Sequence, residues 1–407
     1  MDLIVVGAGL AGLHCALRIS EKHPSQKIMI LDSYSKPGGR VSTIHTGDLQ
    51  WEAGAGRIPT SHKMISSYCN RYGLTRFPIS PDSSYLDGTE LKDNIWNLIS
   101  SSIQDSISST PKSTLGHYTI YEVLCKLFNR PVVDELISYF PYRSELTTLR
   151  ADRAFPIEFS ASASFYGIKE GFSAIIDGML AELKKRGIEV QCGHRVTGFG
   201  SLDQIPMNLH CETPHGMKTF TAKKIIFAVH SNALKKIRPF STYPILKHLK
   251  MKPLLRIYSV FPKAPHGEVW FKDMPRIVTR APLRHIIPIN AAKGVIMSSY
   301  TDAEDTAFWH SKSKSEVSRT LLTELRKSFP EKKIPTPNLT KSYYWDDGCT
   351  YWTPGSYDPA KESVDIMRPF VRLPDVYVCG ESFSMKQAWM EGALEHAEAM
   401  LQKFFFR

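Results

Sequence analysis

Residues 3 to 12 read Leu-Ile-Val-Val-Gly-Ala-Gly-Leu-Ala-Gly, an apolar run that breaks into three glycines at Gly7, Gly9 and Gly12. In the spacing G-x-G-x-x-G, Gly7 makes the turn out of a strand, Gly9 lets the backbone approach a pyrophosphate, and Gly12 lets the next helix pack on the sheet. A helix over residues 10–21 would aim its free N–H groups and positive dipole end at the phosphates. The stretch therefore predicts a strand, a phosphate-binding turn and a helix.

A second apolar segment supports a nucleotide at this turn. Residues 27–31 predict a strand that ends in Asp32, which lies 20 residues after Gly12. At this separation a carboxylate meets the ribose of a bound dinucleotide. A βαβ turn without a ligand is the alternative, and the agreement of motif and context favours a dinucleotide site.

The composition limits the class of protein. At 407 residues the chain is too long for one simple core, and it fits two interleaved domains or one large one. Hydrophobic residues make up 42% and charged residues 22%, as in ordinary soluble globular proteins. The longest apolar stretches have the length of a strand, so we expect neither a membrane span nor a signal peptide.

Cysteine usage and charge indicate the compartment and the partners. The seven cysteines are an odd number without a C-x-x-C motif, which argues against a disulfide framework or a bound metal and predicts a reducing, cytoplasmic location. The net charge of +11 would suit nucleic acid, an anionic membrane or an anionic substrate, but no basic run exceeds a few residues. We expect a generally basic surface with no nucleic-acid or membrane partner, and a homodimer is an assembly that the sequence leaves open.

The pattern along the chain predicts an α/β protein whose Rossmann-like domain is assembled from separated segments. A helical pattern over 170–187, strands over 224–229 and 376–381, and a helix over 389–404 continue the N-terminal α/β pattern. The expected divisions are residues 1–61, 161–238 and 346–407 for the nucleotide-binding domain, 239–345 for a mixed-sheet substrate-binding domain, and 62–160 for a helical insertion that contributes to the substrate-binding domain.

Several motifs together resemble one enzyme family. They are Gly7-x-Gly9-x-x-Gly12, Gly38-Gly39-Arg40, Glu52-x-Gly54-Ala55, the helix at Gly171-Phe172, and Gly380-Glu381 followed by Trp389-Met-Glu-Gly-Ala393. In order and spacing they resemble the flavin-containing amine oxidoreductases, which include monoamine, polyamine and L-amino-acid oxidases. The resemblance spans the chain and implies FAD rather than a nicotinamide. Within the family, residues 53–57, 281–284 and 300–309 look most similar to the short bacterial L-tryptophan oxidases.

The resemblance also implies a set of cofactor contacts. Asp32, where the family usually has Glu, would take the adenosine ribose, Arg40 would lie along the pyrophosphate, and Glu381 would take the ribityl hydroxyls. A helix that begins near Trp389 would stabilise negative charge on the reduced flavin. The flavin is expected to be noncovalent, because Cys349 lies outside the motif that carries a covalent attachment. The implied cofactor-binding residues are Gly7, Gly9, Gly12, Asp32, Gly39, Arg40, Gly54, Ala55, Arg57, Val196, Gly380, Glu381, Trp389 and Met390.

On the substrate side, Arg57 is the most informative residue. It matches the segment from which L-amino-acid oxidases supply an arginine to the substrate carboxylate, and the guanidinium fork suits a carboxylate, which a simple amine lacks. An ion pair with a structural acid, or a contact to the flavin phosphates, is the alternative for Arg57. Tyr300 is a second candidate contact to the carboxylate.

Two departures from the family pattern concern the reaction itself. Arg256 stands where most members have a lysine near flavin N5, and Lys252 falls outside the expected register. Trp389 fits one aromatic wall over the flavin, but the opposite wall would fall at or near Gly348. The expected catalytic residues are Arg57, Arg256, Tyr300 and Trp389, and no metal is expected.

The implied activity is FAD-dependent oxidation of an L-amino acid. Hydride would pass from Cα to flavin N5, giving an imino acid and then a 2-oxo acid and ammonia, while dioxygen would become hydrogen peroxide. One alternative is an oxidase of monoamines or polyamines. Another is a flavoprotein that has lost turnover and serves as a binding or structural component.

Overall fold

A five-stranded parallel sheet is built around the N-terminal glycine motif. The computed structural model describes residues 1–80, 82–108, 110–158, 164–199, 206–265 and 267–406. The strands of the sheet, in spatial order, are Val190–Gln191, Ile28–Leu31, Leu3–Val6, Lys224–Phe227 and Val376–Val378. Every neighbouring pair is parallel. Because both faces of this sheet are covered, its strands read as continuous apolar runs rather than as alternating ones.

Different layers cover the two faces of the parallel sheet. Leu3 and Val5 belong to one hydrophobic core, which is shared with the helices Leu10–Lys22, Ser173–Lys185 and Met390–Phe404. Ile4 and Val6 face the other core, which includes a small antiparallel sheet, the segment that follows it and helices between residues 96 and 154. The strands of this small sheet are Arg195–Phe199, Met207–Thr213 and Gly216–Ala222. The predicted α/β class is confirmed, because alternating strands and helices build a covered parallel sheet.

A seven-stranded mixed sheet forms the second half of the molecule. In spatial order its strands are Leu339–Trp352, Leu249–Val260, Val295–Asp302, His285–Asn290, Ile277–Thr279, Ser84–Asp87 and Glu90–Asp93. Ile277–Thr279 and Ser84–Asp87 are parallel, and the other neighbours are antiparallel. One face of this sheet forms an apolar core with the helix Lys314–Ser328, to which the helix contributes Val317, Leu321 and Leu325.

The inserted region contributes both helices and strands. Its helices are Lys63–Arg71, Trp96–Ser108, Lys112–Leu115, Ile120–Leu127, Arg130–Ser138, Arg143–Thr147 and Ala151–Glu158. Its strand Arg76–Ile79 pairs with Phe165–Ile168, which also pairs with Ile58–Pro59. The remaining elements are the hairpin Thr43–Thr46 with Leu49–Glu52, the helices Ser231–Lys235, Ala307–His310 and Pro359–Asp365, and the 3₁₀ segments Phe240–Thr242, Pro244–His248, Ala291–Lys293, Ala303–Thr306 and Glu381–Phe383.

The domain divisions stay a prediction. The strand Leu339–Trp352 runs through the expected division between residues 345 and 346. Ser84–Asp87 and Glu90–Asp93, from the expected helical insertion, are strands of the seven-stranded sheet. The expected division between residues 160 and 161 lies outside the described residues.

Candidate functional site

One large cavity joins the two main sheets. Its volume is about 1450 Å³, which exceeds the usual 300–1,000 Å³ of a small-ligand pocket. At one end it reaches the carboxyl ends of the parallel strands, where open α/β sheets bind their ligands. The sequence-predicted residues that line it are Gly7, Gly9, Asp32, Gly39, Arg40, Gly54, Ala55, Arg57, Val196, Arg256, Tyr300, Gly380, Glu381, Trp389 and Met390.

The three N-terminal glycines occupy three different environments. Gly7 has a φ of +106°, and an added Cβ would lie 2.4 Å from the carbonyl oxygen of Ala228. A Cβ on Gly12 would lie 1.9 Å from the carbonyl oxygen of Gly7, so Gly12 belongs to the packing of the turn against the helix and does not line the cavity. A Cβ on Gly9 would meet nothing within 4 Å, and Gly9 lines the cavity. This open space above the backbone fits a diphosphate that approaches the N-terminus of the helix Leu10–Lys22.

Asp32 links the glycine turn to the second strand. One carboxylate oxygen accepts the Ala8 N–H at 2.6 Å and the other accepts the Tyr34 N–H at 2.7 Å. Burial raises the pKa of the Asp32 carboxyl above its ordinary value, although both N–H donors oppose the shift. The carboxylate therefore holds the turn in place and also borders the cavity, where the ribose was predicted.

Arg40 and Glu381 meet across the cavity wall. Their guanidinium and carboxylate approach to 2.6 Å, and Arg40 also donates to the Gly348 carbonyl at 3.0 Å. Glu381 accepts the Ala388 N–H at 2.7 Å, and Ala388 has a φ of +64°, which is strained for a residue with a side chain. The contact holds the segment before Trp389 in this conformation. The sequence had assigned the two charges to separate parts of FAD and had not predicted that they pair.

The final helix begins at the cavity. Trp389 is its N-cap residue and provides no side-chain cap, while Met390 and Ala393 line the cavity. Glu391, in the first turn, accepts the N–H groups of Met64 and Ile65 at 2.8 and 2.9 Å. The acid of the Trp-Met-Glu-Gly-Ala motif therefore caps the helix Lys63–Arg71, and it turns away from the cavity that the motif borders.

Arg57 lies among three aromatic rings. Its guanidinium carbon is 4.4 Å from the ring centre of Phe165, 5.2 Å from that of Tyr142 and 5.5 Å from that of Trp389. The planes of Phe165 and Trp389 are inclined by 13°. Rings at this distance attract a cation and keep water from part of its surface. Sequence reasoning singled out Arg57 and Trp389 but missed Phe165 and Tyr142, which reach the site from distant segments.

Arg256 connects the seven-stranded sheet to the segment that carries Arg57. Its Nη1 donates to the Glu52 carbonyl at 2.9 Å and to the Gly54 carbonyl, and the guanidinium lies 4.6 Å from the ring centre of Tyr300. Lys252 lies on the same strand, is buried, and donates to Glu304 without lining the cavity. The structure therefore places arginine, not lysine, at the cavity and fastens it to main-chain carbonyls.

Glu52 is a buried acid beside this segment. Its carboxylate accepts the Thr43 hydroxyl at 2.9 and 3.1 Å and the Phe172 N–H at 3.1 Å. Burial raises the pKa of Glu52 to about 7 despite these donors. The Phe172 N–H is at the start of the helix Ser173–Lys185, so Glu52 joins that helix to the hairpin strand Leu49–Glu52.

The second aromatic wall is not at Gly348. A Cβ on Gly348 would lie 2.6 Å from the Leu254 side chain, so the position has no room for a ring. Trp345 lines the cavity instead, and its indole N–H donates to the Ala53 carbonyl at 2.7 Å. An aromatic residue is therefore present, three positions earlier in the strand.

Within the described ranges, no three His, Cys, Asp or Glu side chains are grouped so that they could hold a metal ion. The described helices include none that is long and apolar enough to cross a membrane. Cys15 and Cys379 bring their sulfurs within 3.6 Å and are free thiols.

The fold and cavity together define a class. A parallel sheet with a glycine turn, joined by one cavity to a mixed sheet with cationic and aromatic residues, is the arrangement of a dinucleotide-dependent enzyme with a separate substrate region. The model of the flavin-containing amine oxidoreductases matches residues 10–97 and 121–399, so the chain belongs to that family, whose members use FAD.

Individual relatives agree with this family. A Bacillus subtilis (strain 168) protein with the provisional name L-amino-acid oxidase YobN is 24% identical, and the alignment covers 97% of this chain and 92% of that protein. An L-amino-acid oxidase of Crotalus adamanteus is 20% identical, with 97% of this chain and 84% of that protein covered. A solved structure of a putrescine oxidase redesigned at its cofactor site has a TM-score of 0.78 and 14% identity, covering 100% of this chain and 99% of that one. This likeness shows that the two proteins share a fold.

Proposed function

We propose that this protein oxidises L-amino acids with FAD and dioxygen, releasing an imino acid and hydrogen peroxide. The observation that carries the proposal is Arg57, a cation held among Phe165, Tyr142 and Trp389 in the cavity wall. An amino acid brings a carboxylate that a guanidinium can bind through two parallel hydrogen bonds. A monoamine or polyamine brings positive charge, which Arg57 would repel.

Noncovalent FAD fits the nucleotide end of the cavity. Gly7, Gly9 and the first turn of the helix Leu10–Lys22 would hold the diphosphate, and Arg40 would lie along it. Asp32 would bind the adenosine ribose, and Glu381 would bind the ribityl hydroxyls. The space above Gly9 is the observation that supports this assignment. When bound, FAD supplies the two-electron acceptor that no side chain provides. Burial raises the pKa of Cys349 to about 12, so its thiol stays protonated near neutral pH and is poorly suited to covalent attachment.

The chain itself would orient the substrate and exclude water. Arg57 would bind the α-carboxylate and so fix the direction of the Cα–H bond, and Tyr300 is a second candidate for this contact. Arg256 would keep the Arg57 segment in position through the Glu52 and Gly54 carbonyls. It stays protonated, so it is not expected to act as a general base. Water would hydrolyse the imino acid to a 2-oxo acid and ammonia.

The test compares amino acids with their decarboxylated amines. L-Tryptophan and tryptamine, or L-phenylalanine and phenethylamine, are to be mixed anaerobically with the purified holoenzyme while flavin absorbance is followed. Bleaching by the amino acids but not by the amines supports the proposal. Faster bleaching by the amines would favour an amine oxidase, and no bleaching by any amine or amino acid would indicate a flavoprotein without turnover.

The variant Arg57→Gln separates a substrate contact from a cofactor contact. We expect it to lose activity toward amino acids while it retains bound flavin. Equal losses toward simple amines, or loss of the flavin, would assign Arg57 to the cofactor. The expected cytoplasmic location stays a prediction.

A further inference from the structure

A second arginine lines the substrate part of the cavity. Arg276 lies directly before the strand Ile277–Thr279, and its Nη1 donates to the Ser80 carbonyl at 2.6 Å. Its Nε is inaccessible to solvent and has no hydrogen-bond partner in the part of the chain that the structure describes. Because solvent does not reach Nε, a ligand in the cavity would be bound through the remaining N–H groups on the Nη atoms.

The surroundings of Arg276 concentrate positive charge. Arg276 donates to Ser80, the neighbouring Ile79 pairs with Phe165, and the Phe165 ring centre lies 4.4 Å from the Arg57 guanidinium, so the two arginines lie in the same part of the cavity wall. Burial lowers the pKa of Arg276, and the charge of Arg57 acts in the same direction. His285 is buried behind Tyr142 and Tyr300, and both of its ring nitrogens lack partners within the described residues. Burial, followed by the charges of Arg276 and Arg57, keeps the pKa of His285 well below its ordinary value. His285 is therefore neutral near neutral pH, and the positive charge around it comes from the arginines.

Arg276 lacks a carboxylate partner among the described residues. Among the described residues, no carboxylate lies within ion-pair distance of Arg276, and Asp82, the acid whose charge acts on it, is exposed and hydrogen-bonded to Ser80. Three acids that line the cavity are engaged elsewhere: Asp302 by Ser144, Glu52 by Thr43, and Asp48 by Lys293. Two neighbouring guanidinium groups that share a cavity would be stabilised by a ligand with two negative groups.

We propose that the substrate is an L-amino acid with a second anionic group on its side chain, which Arg276 binds while Arg57 binds the α-carboxylate. This inference rests on the proposed function and specifies its substrate class. The remaining N–H groups on the Nη atoms of Arg276 would donate to a carboxylate, and the Ser80 carbonyl fixes the plane of the guanidinium. An uncharged side chain of equal size would leave Arg276 without its acceptor.

The experiment uses pairs of substrates that differ in one charge. L-Glutamate is compared with L-glutamine, and L-aspartate with L-asparagine, by anaerobic flavin reduction and by peroxide release from the wild-type holoenzyme. L-Tryptophan is included as a large neutral substrate. We expect kcat/KM for the preferred acid to exceed that for its amide on the order of 10- to 100-fold, as for a charge-assisted hydrogen bond.

Variants of Arg276 assign this preference to one side chain. Arg276→Gln should abolish the preference for the acid without lowering kcat/KM for the amide, and Arg276→Lys should restore part of it. Arg280→Gln is the matched control, because Arg280 is exposed, lies outside the cavity and donates to Ser138 at 3.1 Å. Bound flavin, measured by its absorbance ratio to protein, verifies that each variant is folded.

The outcomes separate the two proposals. If neutral amino acids reduce the flavin and the acids are no better, the substrate class is wrong while amino-acid oxidation stands. If Arg276→Gln lowers kcat/KM for acid and amide alike, Arg276 has a structural role and the inference is overturned. If no amino acid reduces the flavin, the proposed function fails and the inference fails with it.

Discussion

Two matched substitutions, Gly9→Ala and Gly12→Ala, can distinguish effects on nucleotide binding from effects on folding stability. A Cβ on Gly12 would lie 1.9 Å from the Gly7 carbonyl oxygen, whereas a Cβ on Gly9 would meet nothing within 4 Å. Gly9 has a φ of −78° and a ψ of −179°, which alanine adopts without strain. The two glycines are three residues apart in the same strand–turn–helix segment.

We expect opposite effects on the stability of the flavin-free protein. Gly9→Ala should leave the free energy of unfolding unchanged or raise it by about 0.4–1 kcal/mol, because alanine restricts the unfolded chain. Gly12→Ala gains about 1 kcal/mol of helix propensity but forces the turn apart, and overpacking of this kind costs about 1–3 kcal/mol or more. Since the atom that Gly12 would strike is main-chain oxygen, we expect the upper part of that range and a net loss of about 2 kcal/mol.

For FAD affinity we expect the larger effect in Gly9→Ala, the variant with the smaller expected loss of stability. The methyl group of Gly9→Ala would stand where the diphosphate approaches, and the resulting 1–3 kcal/mol clash corresponds to a Kd for FAD raised about 5- to 150-fold. The measurements are urea unfolding of the flavin-free forms, followed by circular dichroism, and FAD titration followed by quenching of flavin fluorescence. Unchanged FAD affinity in Gly9→Ala would refute this account of the turn, as would a loss of stability equal to that of Gly12→Ala.

Three further predictions concern single side chains. Glu391→Gln should lower the free energy of unfolding by about 1–2 kcal/mol, because the Met64 and Ile65 N–H groups lose a charged acceptor, and urea unfolding measures this; a change within 0.3 kcal/mol would contradict the capping role. The raised pKa of Glu52, about 7 against an ordinary 4.5, means that the folded state binds the proton more tightly, so wild-type stability should fall relative to Glu52→Gln by up to about 3 kcal/mol as pH rises from 4.5 to 7; parallel stability profiles for the two proteins would show that this assignment is wrong. Lys252→Met should leave kcat unchanged because Lys252 is paired with Glu304 away from the cavity, whereas Arg256→Met should lower kcat/KM at least 10-fold through displacement of the Arg57 segment; steady-state peroxide release distinguishes the two, and equal effects would argue against the assigned positions.

The sequence predicted best where function depends on the local backbone. The glycine turn could be predicted because φ, close packing and phosphate approach restrict residue type at fixed spacing, and the structure gives Gly7, Gly9 and Gly12 three different environments. The parallel sheet followed from short apolar runs that alternate with helices. Asp32 was predicted to contact a ribose, and its hydrogen bonds to the turn were missed because they depend on how two strand ends meet.

The substrate side was harder to predict because its contacts join distant parts of the chain. The rings of Tyr142 and Phe165 come from segments without a motif, so nothing in the sequence placed them beside Arg57. Arg276 carried no sequence signal, since one arginine before a short strand is ordinary. The departure at Arg256 was visible in the sequence, but its bond to the Gly54 carbonyl depends on the register between the strand and the Arg57 segment. Such pairings are set by the tertiary fold.

The order in which the cavity is assembled affects biosynthesis. The strand Leu3–Val6 is synthesised long before its neighbours Lys224–Phe227 and Val376–Val378. The helix Met390–Phe404 packs on Leu10–Lys22, and His14 meets Glu398 at 2.8 Å. A nascent chain on the ribosome therefore keeps an incomplete parallel sheet with exposed edges during most of its synthesis. The site that would bind flavin is complete only after synthesis of the helix Met390–Phe404, so flavin would bind after that point, whereas chaperone protection of the exposed edges would be needed before it.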